Sequence, residues 1–361
     1  MGLFNFGRKS KLGIDVGMSS IKIVELSRES GRYKLENYGL FELESSVTAA
    51  GEKTAPVSDQ DIIRGIKETL KRSKTKTLDA VASIPSFNTF ATVITMPYLS
   101  EADIAKTIPY EARKYIPIPL NEVVLDWSII NVSPPSAGPV LPSEKVKKIK
   151  PPTVEIFIAA VPKGETQRYR AIMKEAGVNL RALELENSAL IRALIGNDLS
   201  PAAVINIGGR SSSTLIVENG FERVSHNYEV GGFEITRSIA RALNVSLQRA
   251  EELKRSLGLK SVDSNVITQA MSSLVDLIVF ETKKIIHNYE DVKKTRIAKV
   301  FLVGGLANMP AFLEYFAARL GLSVSAGNPL ARVISPPALE PLRKELNATL
   351  AVAIGLAMRE I

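Results

Sequence analysis

Apolar and polar residues follow the same pattern at two places in the chain. Residues 12–26 (LGIDVGMSSIKIVEL) and 204–217 (VINIGGRSSSTLIV) each contain an apolar strand, a glycine–serine turn and a second apolar strand. Short apolar runs bounded by such turns are typical of buried β-hairpins. The repetition predicts an internal duplication, although the first copy carries Asp15 where the second carries Asn206.

The periodicity between the two hairpins predicts an α/β chain. A third strand is predicted at 34–42, and 58–74 has a serine cap, apolar residues at helical spacing and a basic last turn, as an amphipathic helix does. From 87 to 182 the order strand, helix, strand, strand, helix, strand predicts a small α/β insert. The proline-rich and basic stretch 133–152 shows no periodicity and is predicted to be a loop.

Helical patterns dominate the region after the second hairpin. Helices are predicted at 234–243 and at about 264–290, and a strand, a Gly-Gly turn and a helix are predicted from about 298 to 321. The last predicted helix, 341–361, has apolar and small residues on one face, which suits a helix packed between two lobes.

Composition narrows the range of functions. The 361 residues include no cysteine and two histidines, which excludes disulfides and thiolate metal sites and disfavours a histidine-built metal centre. The net charge is +8, but the basic residues are scattered and lack interleaved aromatic residues, so no nucleic-acid partner is predicted. No apolar run reaches the roughly 20 residues of a transmembrane helix. Residues 1–11 are interpreted as a frayed terminus, with a weak interfacial anchor as the alternative.

Several segments together resemble the PilM family of the actin-like ATPase superfamily, which is related to FtsA. The segments are LGIDVGMSSIKIVELS, YEARKYIPIPLNEVVLDW, VGGFEITRSIARALNVSLQRAEELKR, VFLVGGLANMPAFLEYF and GNPLARV. The resemblance covers nearly all of residues 12–361. It implies a two-lobed actin-like ATPase fold with duplicated ribonuclease-H-like cores and an FtsA-type α/β insert in the first lobe.

The resemblance also implies four subdomains. They are the first core (12–86, 183–199 and 335–361), the insert (87–182), the second core (200–232 and 297–334) and a helical subdomain on the nucleotide side (233–296).

The two glycine–serine turns suit a polyphosphate. Successive backbone N–H groups in tight turns form anion-binding nests, glycine lets the backbone approach closely, and serine adds donors without bulk. The resemblance implies ATP or ADP as the ligand, with the two turns on opposite sides of the phosphates. The implied phosphate-binding residues are Gly17, Met18, Ser19, Ser20 and Lys22 in the first turn and Gly208, Gly209, Arg210, Ser211 and Ser212 in the second.

Carboxylates near the phosphates bear on metal binding and catalysis. Mg²⁺ prefers hard oxygen ligands and retains several waters. The resemblance implies that Asp15 holds the water shell of Mg²⁺ and that Glu186 positions an attacking water. Glu186 at a helix start is equally explained as an acid that stabilises the helix dipole, and both interpretations stay open.

The resemblance places the nucleoside against the helical subdomain. It implies that Glu251 and Lys254 contact the ribose and base, whereas a surface ion pair between two residues three apart on a helix is the ordinary explanation. The other residues implied at this end are Gly231, Gly232, Gly304, Gly305 and Asn308.

Asn206 departs from the family, whose second turn usually carries aspartate here. The amide has nearly the same shape but no charge, and a unit-charge contact near 4 Å is on the order of 4 kcal/mol at an effective dielectric of about 20, before desolvation. We therefore expect slow or absent hydrolysis, with nucleotide binding retained.

The resemblance implies a cytoplasmic scaffold at the inner face of the cytoplasmic membrane. The implied partner is the cytoplasmic N-terminal segment of a PilN-like inner-membrane protein, with a PilO-like protein and pilus motor or platform components as further partners and self-association left open. In the segment YEARKYIPIPL, Tyr115, Ile116 and Ile118 are predicted to line a peptide groove, or to fix a helix-to-strand corner instead.

Two other functions compete with the pilus scaffold. An FtsA-like cell-division filament is the main alternative; it would call for an amphipathic membrane helix beyond a C-terminal linker, and the chain ends at Ile361 within the last predicted helix. A sugar kinase of the same superfamily needs a carboxylate base beside a substrate hydroxyl, and no sugar-binding signature is present.

Overall fold

The computed structural model describes residues 10–43, 57–133, 136–137, 149–260 and 266–360. Residues 1–9 and most of the stretch 133–152 lie outside the described residues, and so do the expectations of a terminal anchor and of a loop there. None of the described helices is long and apolar enough to cross a membrane.

The described part of the chain alternates strands and helices. The strands are β1 (Lys11–Val16), β2 (Ser20–Glu29), β3 (Arg32–Glu42), β4 (Asp79–Ile84), β5 (Phe90–Pro97), β6 (Val123–Ser133), β7 (Ser136–Ala137), β8 (Ile149–Lys150), β9 (Thr153–Pro162), β10 (Asn179–Leu185), β11 (Ala202–Ile207), β12 (Ser212–Glu218), β13 (Phe221–Tyr228), β14 (Lys299–Val303), β15 (Val324–Ala326) and β16 (Val333–Ile334). The helices are α1 (Asp59–Ser73), α2 (Glu101–Ala112), α3 (Lys163–Glu175), α4 (Glu186–Leu194), α5 (Gly232–Leu243), α6 (Leu247–Leu257), α7 (Val266–Lys293), α8 (Phe312–Leu320), α9 (Arg343–Thr349) and α10 (Ala351–Ala357).

The two large sheets repeat one arrangement. In the first, an antiparallel meander β1–β2–β3 continues through parallel strands β4 and β10, and in the second, β11–β12–β13 continues through parallel strands β14 and β15. β1 and β11 lie inside their sheets with both faces covered, and five of the six residues of each strand are buried. The duplication predicted from the two hairpins is confirmed at the level of strand order.

The insert is shorter than predicted. A three-stranded sheet, β5–β9–β6, packs against α2 around buried Ile104, Ile108 and Ile156. The next helix, α3, packs on the first sheet, and β10 pairs in parallel with β4. The boundary at 182 is therefore wrong: α3 and β10 complete a crossover of the first core, and the insert consists of β5, α2, β6 and β9.

A second boundary also shifts. The short strand β16, placed in the second core by the sequence, pairs in parallel with β3 at the edge of the first sheet. A two-residue strand has too little pattern of its own to reveal its partner.

Two helices lie between the large sheets. Residues of α4 and α10 share one apolar cluster with Val81 of the first sheet and with Val204, Leu215 and Val303 of the second. The fit is close, since a Cβ on Gly355 of α10 would lie 2.0 Å from the carbonyl oxygen of Ala189 in α4. The terminal helix therefore joins the lobes, as its small-residue face predicts.

Candidate functional site

The turns of the two hairpins face each other across a cleft of about 1050 Å³. Apart from Ser212 and Gly231, the nucleotide-binding residues predicted from the sequence all line this cleft. A Cβ placed on Gly209 would lie 2.0 Å from the Oγ atom of Ser19, so the turns of the two lobes are in direct contact. Only glycine at position 209 leaves room for the serine side chain.

The first turn is built around a buried carboxylate. Asp15 is 4% exposed and lies opposite Lys22 in the β1–β2 register. One of its oxygens is 3.1 Å from the Lys22 ammonium, and the other accepts a hydrogen bond of 3.3 Å from the Ser83 hydroxyl. The Gly17 N–H closes the turn by donating to the Ser20 carbonyl. Lys22 is thus positioned by Asp15 at the phosphate end of the cleft.

The second turn repeats the backbone without the aspartate–lysine ion pair. The Gly208 N–H donates to the Ser211 carbonyl at 2.9 Å, as Gly17 does to Ser20. Asn206 lies opposite Ser213, at the register position that Asp15 and Lys22 hold in the first hairpin. The second turn therefore presents neutral donors and acceptors where the first presents an ion pair.

The start of α5 supports the second turn from behind. The N–H groups of Gly232 and Phe233 donate to the carbonyls of Gly208 and Gly209 at 3.0 and 2.7 Å. A Cβ on Gly231 would lie 2.8 Å from the Gly208 carbonyl oxygen, so this residue packs against the turn and not toward the cleft. Gly232 lines the cleft, but its N–H is already used, and the prediction of a ligand-facing Gly231 is wrong.

Ser212 is a second correction. Its hydroxyl is buried and donates to the Val230 carbonyl at 2.6 Å, so it connects β12 to the segment between β13 and α5. Because side chains alternate along a strand, the neighbouring Ser213 faces the cleft instead. Counting serines in the turn could not have decided between them, whereas the strand register does.

Glu186 begins α4 at the phosphate end of the cleft. Its carboxylate accepts a hydrogen bond of 3.4 Å from the Ser86 N–H. Burial, followed by the negative charge of Asp15, raises the pKa of Glu186 to about 8, and the Ser86 N–H and Lys22 oppose this change. A carboxyl group with this pKa is largely protonated at neutral pH, and in that form it cannot accept a proton from water.

Lys254 has an internal role. Its ammonium lies 3.0 Å from the Gly232 carbonyl, 2.9 Å from the Thr236 hydroxyl and 2.6 Å from the Glu251 carboxylate. Three donors with three protein acceptors leave none for a ligand. Burial lowers the pKa of Lys254, and Glu251 opposes this change. Lys254 lies in the lining of the cleft, but its ammonium contacts protein groups and holds Glu251 and the start of α5 in position.

Glu251 is the centre of a polar network at the mouth of the cleft. Its carboxylate accepts hydrogen bonds from Lys254, from Thr236 at 2.5 Å and from Arg255 at 2.8 Å. Arg255 also contacts Glu42 at the end of β3, 3.2 Å away. This pair joins the helical region to the first lobe across the cleft.

The glycine pair after β14 brings the backbone to the cleft floor. Gly304 has φ +95°, a conformation that favours glycine, and its Cβ would lie 2.2 Å from the Ile207 carbonyl oxygen. A Cβ on Gly305 would meet nothing within 4 Å, so this position is open. The Asn308 amide donates to the Glu345 carbonyl and the Thr349 hydroxyl and ties this floor to α9.

The structure adds cleft residues that the sequence did not reveal. They include Asn227 of β13, Phe233 of α5, Gln248 of α6 and Lys344 of α9. Arg210, which was predicted, lies with its guanidinium 5.5 Å from the centre of the Phe233 ring, a cation–π distance. Each of the added residues lies outside the recognisable turns, and only the tertiary fold brings them to the cleft.

The predicted peptide groove is only partly supported by side-chain exposure. Tyr115 is 51% exposed, but Ile116 is buried in the insert core and Ile118 packs against that core. An apolar side chain inside a core cannot contact a docked peptide. Ile116 therefore fixes the corner after α2, which is the alternative that the sequence left open, whereas the partly buried Ile118 stays a predicted groove residue.

The donor set at the phosphate end fits a nucleotide-bound magnesium ion better than a protein-held one. Among the described residues, no group of three or more histidine, cysteine, aspartate or glutamate side chains could hold a metal. A Mg²⁺ ion here would take its ligands from phosphate oxygens and water, with Asp15 contacting the water shell. The two glycine–serine turns that line the cleft fit a polyphosphate, because their backbone and small side chains leave room for phosphate oxygens.

A family model described as "Type IV pilus assembly protein PilM" matches residues 13–361. The chain belongs to the PilM family. Within the curated proteins, cell division protein FtsA of Enterococcus faecalis (strain ATCC 700802 / V583) is 24% identical over 177 residues, 42% of this chain and 40% of FtsA. The match therefore spans well under half the length of that relative.

Solved structures similar to this PilM-family chain show the same fold. A chain of the PilM-PilN type IV pilus biogenesis complex has a TM-score of 0.79 at 22% identity, covering 98% of each chain. The ethanolamine utilization protein EutJ from Carboxydothermus hydrogenoformans has a TM-score of 0.57 at 16% identity, covering 97% of this chain and 89% of EutJ. MreB 5 of Spiroplasma citri bound to AMPPNP has a TM-score of 0.54 at 11% identity, covering 96% and 94%. The fold is the two-lobed actin-like fold expected from the sequence.

Proposed function

We propose that this chain is an ATP- or ADP-binding scaffold of type IV pilus assembly that hydrolyses ATP slowly or not at all. The observation that carries the proposal is the pair of facing turns, of which one holds the Asp15–Lys22 ion pair and the other the neutral Asn206. Glycine backbone, serine hydroxyls and Lys22 supply donors for phosphates from both lobes. The charge that would place a metal and activate water comes from one lobe alone.

The protonation of Glu186 supports slow turnover. With a pKa of about 8, roughly one Glu186 side chain in ten is ionised at pH 7 and able to accept a proton from water, which slows a reaction that needs this carboxylate as its base. Bound Mg²⁺ would supply charge neutralisation at the phosphates. The residues of this chain then bind, orient and enclose the nucleotide.

Calorimetry with ATP and ADP, with and without Mg²⁺, tests the binding half of the proposal. We expect both nucleotides to bind and steady-state hydrolysis to remain well below about 1 per second, the low end of ordinary enzyme turnover. Turnover at or above that rate would overturn the scaffold role. If neither ATP nor ADP binds, the proposal of a nucleotide site in this cleft is wrong.

The partner in this proposal is the cytoplasmic N-terminal segment of a PilN-like inner-membrane protein, which would hold the chain at the inner face of the cytoplasmic membrane. Family membership and the likeness to a chain of the PilM-PilN complex support this choice. We place the docking surface at the junction of the first lobe and the insert, where Tyr115 is exposed.

A peptide pull-down tests the docking surface. We expect Tyr115→Ala to weaken capture of the partner's N-terminal peptide, and Tyr110→Ala to leave it unchanged. Tyr110 is a matched control because it lies on α2 of the same insert and is 68% exposed. Equal capture by both variants and the parent chain would place the peptide elsewhere.

An FtsA-like filament protein is the second candidate, supported by the partial match to FtsA. A filament former pellets at high speed with ATP at micromolar concentration, whereas a scaffold stays in the supernatant. Nucleotide-dependent pelleting without peptide binding would favour this alternative.

A further inference from the structure

The insert contacts the second core through β13. This strand pairs with β12, which leads directly out of the second phosphate turn, and it packs along β5 of the insert. Because paired strands move as a unit, a displacement of the second turn is carried into β13. The strand therefore connects the cleft to the insert without passing through the first lobe.

The strongest of these contacts is a nearly buried ion pair. The Arg223 side chain on β13 is 4% exposed, and its guanidinium lies 3.0 Å from the carboxylate of Glu155 on β9 of the insert. Its Nε atom donates to the Glu218 carbonyl at 3.3 Å, and Tyr289 of α7 donates to the Glu218 carboxylate at 2.9 Å. Arg223 is thus fixed to the second core and reaches the insert with its remaining donors.

Such a pair resists separation. Arg223 lies 3.8 Å from the Glu218 carboxylate as well, so separation from Glu155 would leave this buried guanidinium with one of its two carboxylate partners, and the nearer one would be lost at a cost in desolvation. Glu155 is more exposed, at 18% of its side chain, and also accepts a hydrogen bond from Asn131. Moving the insert together with Arg223 therefore costs less free energy than separating Glu155 from Arg223.

The joint between the first core and the insert is held from both lobes. Between β4 and β5, the Ser86 N–H donates to Glu186 of the first lobe, and the Ser86 carbonyl accepts from the Asn227 amide of the second lobe at 3.3 Å. Pro85 and Phe87 on either side line the cleft. The chain enters the insert at a point that contacts the nucleotide site and both lobes.

We propose that Arg223 and Glu155 form a latch that makes the insert move with the second core, so that nucleotide in the cleft sets the orientation of the insert. Rotation of one domain against another is a common switching motion, and here it would turn the insert against the first lobe. The consequence for partner docking at that junction rests on the proposed function. ATP would thereby regulate peptide binding at a surface that no nucleotide atom touches.

Distances between spin labels test the latch directly. The chain has no cysteine, so introduced cysteines are labelled specifically. Exposed positions on the three bodies are Lys71 of α1, Lys106 of α2 in the insert and Val292 of α7. Pairs of labels at these positions report the insert against the first lobe and the insert against the second, with and without Mg²⁺ and AMPPNP.

In the parent chain we expect AMPPNP to change the distance from the insert to the first lobe and to leave the distance from the insert to the second unchanged. In Glu155→Gln we expect AMPPNP to leave the distance from the insert to the first lobe unchanged and to change the distance from the insert to the second. The distribution of label distances between the insert and the second lobe should also be broader in this variant, even without nucleotide. Arg223→Lys, which keeps the charge, should retain part of the parent behaviour. Asp276→Asn is the matched control, because it breaks the Arg319–Asp276 pair between α7 and α8 without touching the insert.

The outcomes are decisive for the latch and separable from the proposed function. An insert that keeps its distance from the first lobe when AMPPNP binds overturns the latch, and so does a Glu155→Gln chain with parent distributions. Calorimetry on the same samples shows whether AMPPNP binds at all. If AMPPNP does not bind, the proposed function is wrong. The latch is then still tested by the width of the distance distribution between insert and second lobe in Glu155→Gln without nucleotide.

Discussion

The two phosphate turns share a backbone and differ in charge. Each closes with an N–H of glycine donating to a serine carbonyl three residues later. The first holds a buried aspartate paired with lysine, and the second holds an amide opposite a serine. The two copies thus share the backbone geometry of the turn and differ in the charges beside it.

The contact between the turns gives the largest expected effect. Gly209→Ala places a methyl group where Ser19 lies and should force the lobes apart, since overpacking costs about 1–3 kcal/mol. If this free energy is lost from ATP binding and not from folding, the affinity for ATP drops roughly 10- to 100-fold. Titration calorimetry measures it.

The matched change in the first turn is Gly17→Ala. Its Cβ would meet the Ser20 carbonyl at 3.0 Å and the Lys22 ammonium at 3.1 Å, which are tight but movable contacts. We expect a smaller loss than for Gly209→Ala. Recovery of affinity in the double variant Ser19→Gly with Gly209→Ala would identify the steric clash as the cause, and failure to recover would contradict it.

Exchanging aspartate and asparagine between the two turns tests whether their difference in charge affects metal binding. Asn206→Asp should increase the Mg²⁺ dependence of ATP binding by about tenfold, because a charge contact near 4 Å outweighs screening in a partly buried site. Asp15→Asn should reduce that dependence and release Lys22 toward the phosphates. Binding measured across a Mg²⁺ series separates the two, and equal Mg²⁺ curves for all three chains would show that neither turn contacts the ion.

Two buried glutamates extend the contrast to the strands behind the turns. Glu25 of the first core accepts hydrogen bonds from Ser10, Asn37 and the Lys76 N–H. Glu222 of the second core is 3% exposed, and burial raises its pKa above the ordinary 4.5, with Ser225 and Asn187 opposing the rise only in part. The folded state therefore binds this proton more tightly than the unfolded chain does.

Glu222 should make the folded state less stable as the pH rises. Its contribution to stability is fully present below pH 4.5 and is lost as the pH rises through its folded pKa, at about 1.4 kcal/mol for each pH unit between the unfolded and folded pKa values. Glu222→Gln removes this loss, so its stability relative to the parent should increase with pH across that window. Urea unfolding between about pH 4 and pH 8 tests this, with the exposed Glu252→Gln as control. A constant difference at all pH values would contradict it.

The smallest expected effect concerns the contact across the mouth of the cleft. Glu42→Gln removes an exposed ion pair with Arg255, and exposed pairs contribute about 0.2–1 kcal/mol. We expect nucleotide release to accelerate a few-fold at low salt and no difference at high salt. Stopped-flow release of a fluorescent ADP measures it, and a difference that persists at high salt would argue against an ion pair.

Local pattern predicted the hairpins and the major helices, because alternation, glycine turns and caps are written over a few neighbouring residues. Most of the cleft residues were implied by the family resemblance. Several of the errors share a different origin. The assignment of α3 to the insert, of Ser212 to the phosphates and of Ile116 to a groove each depended on which distant element lies opposite. The parallel pairing of β10 with β4, the Ser212–Val230 hydrogen bond and the packing of Ile116 in the insert core decide these points, and none of them is visible in a short window.

The sequence predicted where the residues of the site lie better than it predicted what each residue contacts. Lys254 lies where the resemblance placed it, yet its donors are consumed by Gly232, Thr236 and Glu251. Residue type and spacing locate a side chain, whereas its hydrogen-bond partners depend on tertiary packing: Gly232 and Thr236 lie on α5, and Glu251 lies on α6 with Lys254 itself.

The packing of the last helix has a consequence for how the protein folds. A Cβ on Gly13 of β1 would lie 2.0 Å from the Ala353 carbonyl oxygen of α10, and the Lys11 ammonium donates to the Arg359 carbonyl across 348 positions of sequence. The first strand is therefore covered by residues that lie far along the chain. Contacts of such separation form slowly because a long loop must close first. Docking of α10 on β1 is therefore expected to be a late step in the folding of the first lobe, whose apolar face stays open until then.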